Sequence, residues 1–542
     1  MKFLKSLMLI LLLPLSVNAG VNLKNGNFYV SYTDIIVPGS GEDLKVVRTY
    51  NSRATEVGWF GFGWGSDFET YLDVAADGSV VVHEHGSGAT TRFTPRETID
   101  PSSAVDRIIE EMRKRASVSD NVSSSLKERL LGNAELRQAY ARRFNVTANL
   151  ADGTVLYSNA RGLQELHKVQ NGFERRHNDG KIEYFSNEGK LTAITNNNGY
   201  RVDIEYGENN RVSSIRDSEA KQLFFSWYSN GKVRNIWSAG DKKTEYTYEG
   251  DNLVKSVDIA GNTYTYDYDS NHNMTKIGYE DETSREIHYA RRTQFASKVV
   301  ERNGEVTEYA YESNPENPEL HYWTTVTRSQ PDGSKVANRY EYEIKARPDG
   351  SQYTYRINTN VNGVETETVY SECCSLPLRI TRGNHVTTFE YNDTGLLTKK
   401  TSTSGEHVEL EYHPEFNKIT RVVNNEGWTQ FEYDNRGNLS KAQNNQNQAV
   451  LLIYDRHGRI TRMIDQNTQT NERRTLEFKY NSMGKPVEIA MQGVGKINVS
   501  YDNYGEIQNV QSDSGTQMAM KVTRAFQSLL SIVKPAGVNL NM

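Results

Sequence analysis

Tyr433-Asp434-Asn435-Arg436-Gly437-Asn438-Leu439 recurs 21 residues later as Tyr454-Asp455-Arg456-His457-Gly458-Arg459-Ile460. An aromatic is followed by an acidic or amide residue, a polar pair, a glycine and then an aliphatic. The residues before the aromatic alternate, as in Thr429-Gln-Phe-Glu-Tyr433 and Val408-Glu-Leu-Glu-Tyr412. Period-two alternation predicts a half-buried strand. Asp or Asn supplies a side chain that bonds nearby backbone, and Gly accepts a positive φ, so the centre of the motif predicts a turn. A second alternating run follows, as in Ile460-Thr-Arg-Met-Ile464, and then a second polar turn such as Asn424-Asn-Glu-Gly427. The unit is therefore a β-hairpin of about 21 residues.

The motif extends in both directions. Tyr391 with Gly395, Tyr480 with Gly484, and Tyr501-Asp502 with Gly505 are further copies; Tyr412 keeps the step but lacks the glycine. From Tyr391 the steps are 21, 21, 21, 26 and 21 residues. Looser copies start at Phe185, Tyr206, Tyr228, Tyr248, Tyr268 and Tyr289, with steps of 21, 22, 20, 20 and 21. One hairpin is marginal in water, whereas a series buries the apolar face of each unit against its neighbours. The expected fold is mainly β: an elongated or coiled antiparallel hairpin array. The recurring tyrosines are expected to stack in a ladder with their hydroxyls reaching polar turns.

Composition agrees. Tyrosine is 32 of 542 residues against 17 phenylalanines and 12 prolines, and only 36% of residues are hydrophobic. The numbers exclude collagen-like, disulfide-framework and polytopic membrane classes. Lys2 and Lys5, the apolar run Leu7–Leu13 and Val17-Asn-Ala19 read as a signal peptide over residues 1–19. Its removal leaves 61 basic and 69 acidic residues, a net charge of −8. That balance argues against nucleic acid as a partner. The location expected is secreted, periplasmic or cell-surface, with no transmembrane segment after cleavage.

The repeats resemble the YD repeats of the Rhs/YD-repeat proteins. Val21-Asn-Leu-Lys-Asn-Gly-Asn27, Arg48-Thr-Tyr-Asn-Ser-Arg53 and Gly61-Phe-Gly-Trp-Gly65 resemble the segment that precedes the repeats in that family. The resemblance implies a coiled β-sheet shell, secretion, and a role in packaging or surface contact. The sequence shows no DPxG-type core-ending motif and no variable toxin domain, so autoproteolysis and toxicity are not carried over.

The chain divides into the signal peptide, an N-terminal β domain over 20–95, a helical insert over 96–146, the hairpin repeats over 147–511 and a helical cap over 512–542. In the insert, Val105, Ile108, Ile109 and Met112 fall on one helix face, with Ser102 or Ser103 as its cap. Leu126, Leu130 and Leu131 mark a second helix, and Leu136, Tyr140 and Phe144 a third, capped by Asn133. Met518, Val522, Phe526 and Leu529 form the stripe of the cap.

No catalytic, cofactor or metal constellation is found. His83-Glu84-His85 lacks the helical spacing of a zinc motif. Cys373 and Cys374 are the only cysteines and are adjacent, which allows a vicinal disulfide or two thiols. The reading is a non-catalytic structural or binding protein that takes a protein cargo or a surface glycan. The alternatives are a glycan-active enzyme, with paired carboxylates inside the shell, and a β-propeller built of 42-residue blades.

Overall fold

The computed structural model describes residues 18–513 except 39–41, 97–99, 116–119, 159–162, 197–198, 241, 348–351, 483 and 502–506, together with 515 and 520. The expected leader lies outside the described residues up to residue 17. The stripe of the C-terminal cap also lies outside them, as do Asp502 and Gly505 of the last motif. Sheet pairing begins at Asn18, opposite Ser31, just inside the expected leader.

All strand pairing is antiparallel, and within each sheet of the array every strand pairs with its neighbour in sequence. Strands from Val155–Ser158 to Val233–Trp237 form a nine-stranded sheet, and those from Glu245–Glu249 to Ile507–Ser512 form a 24-stranded sheet. A bridge between Trp237 and Lys243 connects the two. A propeller needs separate four-stranded blades around an axis, so the continuous sheet sets that alternative aside. Asn18–Asn22, Asn27–Val37, Leu44–Asn51 and Trp64–Ser66 form the N-terminal sheet. Tyr71–Val74, Val80–Glu84 and Ala89–Phe93 form a small second sheet, bridged to the nine-stranded one.

Three helices follow: α1 (Ser102–Arg115), α2 (Asp120–Gly132) and α3 (Ala134–Phe144). Their apolar faces bury Val105, Ile108, Leu130 and Ala141 against one another and Ala76. Asn133 caps α3 by accepting from the Leu136 amide. Neither Ser102 nor Ser103 caps α1. The helix already starts at Ser102, and Asp100 accepts from that residue's amide instead. Asp77 holds the helices to the small sheet by accepting from Arg92 and Arg137.

The array has two cores. One joins the N-terminal sheet, the nine-stranded sheet and the first strands of the long sheet as far as Val299. The other runs from Val408 to Met491. Between residues 306 and 402, Val326, Tyr342 and Cys374 are the buried apolar side chains among the described residues. Here the strands lengthen, to twelve residues at Lys335–Ala346 and ten at Gln352–Val361.

Candidate functional site

The repeat motif is a device for locking one hairpin to the next. In Asp434-Asn-Arg-Gly437-Asn438 the Asp434 carboxylate accepts from the amides of Arg436 and Asn438, at 2.9 and 2.8 Å. Gly437 takes a φ of 78°, which lets its amide reach the Asp434 carbonyl at 3.0 Å. Asp455 repeats the arrangement with His457 and Arg459, and Asn392 with Thr394 and Leu396. Gly395, Gly458 and Gly484 are left-handed as well. The turn after Tyr412, which has no glycine, uses Asn417 at a φ of 52°.

The tyrosines do not build a stacked ladder with hydroxyls in the turns. Each hydroxyl instead donates to the backbone carbonyl of the aliphatic or proline that opens the second strand of the preceding unit. The pairs are Tyr391 to Pro377, Tyr412 to Leu397, Tyr433 to Ile419, Tyr454 to Leu439, Tyr480 to Ile460 and Tyr501 to Pro486, all at 2.7–3.0 Å. A register shift in the pairing falls at each of these tyrosines, as between Glu432 and Tyr433. The bulge re-aims the ring along the sheet, and the phenol then reaches its neighbour's backbone. Tyr206, Tyr248, Tyr268 and Tyr289 make the same bond in the first half, to Leu191, Val233, Leu253 and Met274.

Two assignments from the sequence change. Trp227, not Tyr228, holds the position in the third copy: its indole donates to Val212, which makes the flanking steps 21 and 21. Tyr311, donating to Ala296, is a further copy that the sequence did not single out.

The N-terminal sheet lies on the array through a buried charge. Arg48 and Asp34 pair at 2.8 Å with 0% and 1% of their side-chain surfaces exposed. Arg48 also donates to Ser256 and Tyr266, Tyr246 donates to Asp34, and the guanidinium sits 4.2 Å from the Trp64 ring. Burial alone would lower the Arg48 pKa; the Asp34 charge outweighs it and the pKa is raised. Trp64 donates to Tyr268, and the Tyr50 hydroxyl bonds His272 and Met274. Further along, Thr324 donates to the Leu23 carbonyl and Lys24 donates to Thr354.

The two faces of the sheet differ in this sector. Tyr322, Tyr342, Ile357, Thr368 and Ile380 stand opposite one another on five successive strands, on the face that carries the N-terminal segment. The adjoining row, His321, Glu343, Arg356, Val369 and Arg379, points the other way and carries ionisable side chains at every position but Val369. On that outer face Arg356 bonds Glu343 and Glu367, Arg379 bonds Glu367, and Arg339 bonds Glu341.

Three groups on the outer face have the chemistry of a metal site. His321, Glu341 and Glu343 place ligand-type atoms within 4.8 Å of one another. No local sequence pattern marks this group, because cross-strand register creates it. Its members are already paired: His321 Nε2 lies 2.7 Å from Glu341, and arginines hold both carboxylates. Burial pushes Glu341 up, but His321 and Arg339 outweigh it and leave the carboxyl below its usual range. A general acid needs the opposite shift. A shallow hollow of about 370 Å³ beside it is lined by Arg339, Asn358, Asn360, Glu365 and Glu367.

His83 and His85 are half-buried around the Tyr71 ring. His83 stacks on it at 4.6 Å and contacts Asp73; His85 reaches Glu56 at 2.7 Å. The half-buried Glu84 between them instead pairs with the fully buried Arg175, which also bonds Glu183. Burial raises the Glu183 pKa, but His177, Lys181 and Arg175 together hold it far below the usual range. Cys373 and Cys374 are joined by a disulfide in the loop before Pro377.

Residues 18–93 match a family described as a domain of unknown function, DUF6531, and residues 249–284 match the RHS Repeat family. Over 277 residues the chain is 24% identical to the tRNA nuclease WapA of Bacillus subtilis (strain 168), covering 46% of this chain and 10% of that protein. The tRNA3(Ser)-specific nuclease WapA of Bacillus spizizenii matches equally. The chain thus spans about a tenth of the length of these curated relatives. Among solved structures, the Photorhabdus luminescens Tc holotoxin pore aligns with 90% of this chain and 29% of its own. Its identity is 12% and its TM-score 0.37. The TcdB2-TccC3-TEV structure aligns with 95% and 31%, at 11% identity and a TM-score of 0.39. Among the described residues no helix is long and apolar enough to cross a membrane.

Proposed function

Because the chain is an Rhs/YD-repeat protein, we propose that it is a non-catalytic, secreted or cell-surface structural protein whose β array wraps a protein cargo. One observation carries this reading. The long sheet already wraps a segment of its own chain, and the face that does so continues beyond it. Leu23 and Lys24 lie against Thr324 and Thr354, and the uncharged row runs on from there, from the buried Tyr342 through the half-buried Ile357 and Thr368 to Ile380. The opposite face carries the arginine–glutamate pairs, which suit water. A face lined by tyrosine, threonine and isoleucine favours a polypeptide that buries apolar and neutral polar groups.

The test is retention and protection. The chain is produced in a secreting host, and polypeptides that copurify are identified by mass spectrometry and challenged with protease. The expected result is a protease-protected polypeptide that is lost from an Ile357→Lys/Ile380→Lys variant and kept by a Glu365→Lys variant. Equal loss from both variants, or none retained by the parent, refutes the reading. Binding to a glycan array that is abolished at Trp323 on the outer face would point to a surface glycan in place of a cargo.

A further inference from the structure

The loop Ser371-Glu-Cys-Cys-Ser-Leu-Pro377 stands where a repeat unit has its Asx–glycine turn. Tyr370 pairs with Pro377 across a register shift, as Tyr391 does with Leu397. The Ser371 amide donates to the Leu376 carbonyl at 2.8 Å, as the Asn392 amide does to Leu396 at 3.0 Å. The Leu376 amide donates back to the Ser371 hydroxyl at 3.1 Å, as Leu396 does to the Asn392 side chain at 2.9 Å. The next tyrosine completes the unit by donating to the Pro377 carbonyl. Ser371 therefore replaces the Asx residue. The glycine is replaced by Cys374 and Ser375, at φ values of 75° and 51°. Side chains disfavour that region, and here the covalent ring across Cys373 and Cys374 closes over it.

The two sulfurs are not equivalent. Cys373 is exposed, whereas Cys374 is buried with 6% of its surface accessible. The loop lies in the sector between the two cores, where few apolar side chains hold the strands.

We propose that Cys373–Cys374 is a thiol–disulfide exchange site that takes a dithiol as its partner and governs the order of this turn. A thiolate of the dithiol attacks the exposed Cys373 sulfur. The S–S bond breaks and Cys374 leaves as a thiolate. The partner's second thiolate then attacks the mixed disulfide, releasing the Cys373 thiolate and an oxidised, disulfide-bonded partner. Two electrons pass from the dithiol to the protein, and the two protons of the dithiol end on the two cysteines. With the ring open, nothing covalent keeps Cys374 and Ser375 left-handed. The turn then relaxes, and the Pro377 carbonyl leaves the Tyr391 hydroxyl.

The full chain is treated with dithiothreitol under native conditions, and intact mass, alkylation and amide exchange are read. The expected result is a gain of two hydrogens in mass, with faster exchange across residues 370–377. A Cys373→Ser/Cys374→Gly variant, which restores a glycine at the left-handed position, should be protected with or without the reductant. In single-cysteine variants, the thiol of Cys374→Ala should alkylate about tenfold faster than that of Cys373→Ala, following exposure. The proposal is overturned by resistance to the dithiol in the folded chain, by reduction without faster exchange, or by the reverse alkylation order.

Discussion

Removing the tyrosine hydroxyls while keeping the rings tests whether the hydroxyl-to-carbonyl bond joins the units. Tyr433 donates to Ile419 at 2.7 Å, and Ile419 lies at the register shift opposite Tyr412. A carbonyl at such a shift has lost its regular ladder geometry, so the phenol is its replacement donor. Loss of one such bond costs about 1 kcal/mol. Tyr412, Tyr433 and Tyr454 donate to three different carbonyls, on Leu397, Ile419 and Leu439. The triple replacement by Phe should therefore add up to roughly 3 kcal/mol, since the bonds share no partner. Urea unfolding followed by circular dichroism reads the change. The midpoint should fall, and the slope should stay constant because the partly buried rings keep their packing. Tyr340→Phe, outside the set, serves as the control. A triple variant within about 0.5 kcal/mol of that control would refute the reasoning and leave the rings alone as the source of cohesion.

Three further outcomes follow from the same geometry. Burial raises the pKa of Tyr391, Tyr412 and Tyr433 to about 12, while an unfolded tyrosine ionises near 10. Their contribution is complete below pH 10 and is lost as the pH rises towards 12, so alkaline titration by circular dichroism should show unfolding in that window, shifted upward by Phe replacements. Gly437→Ala, at a φ of 78°, should cost about 1–2 kcal/mol in urea unfolding, whereas Gly→Ala within an extended strand segment should not. Arg48→Ala leaves Asp34 buried without its charge partner and should destabilise the N-terminal sheet by about 3–5 kcal/mol, while Arg48→Met with Asp34→Leu should recover most of that loss in thermal unfolding.

The hairpin unit and its period were legible because both are local. An aromatic, an Asx residue, a glycine and an aliphatic fit within seven positions. Longer-range features were not. Trp227 and Tyr228 are equally aromatic, and only the bulge between Ser226 and Trp227 decides which one bonds Val212. Tyr311 escaped notice because the strands after it lengthen and the step drifts. Asn417 substitutes for a glycine through its own tolerance of the left-handed region, which the missing Gly concealed. The Arg48–Asp34 centre joins residues 14 apart to Tyr246 and Tyr266, more than 200 residues away. No periodicity encodes such a contact. The same holds for His321 with Glu343, which only cross-strand register makes neighbours.

The distribution of the two cores sets the disulfide-closed turn of the array apart from the others. Where apolar side chains are buried, as from Val408 to Met491, a turn needs no covalent lock: an Asx residue and a glycine serve after Tyr433 and Tyr454, and Asn417 serves after Tyr412, because packing on either side fixes the hairpin. Between residues 306 and 402 that support is thin. The strands there are longer, which adds ladder hydrogen bonds, and the outer face adds the chain from Glu343 through Arg356 and Glu367 to Arg379. Exposed ion pairs contribute little each, so backbone pairing carries most of the sector, with the Tyr391-to-Pro377 bond beside the turn. A loose turn would cost such a sector more than it costs a packed one, because opening it frees both Pro377 and Tyr391. The cross-linked turn therefore falls where the array is least able to hold a hairpin by burial, and the same position makes its redox state matter to the sheet on both sides.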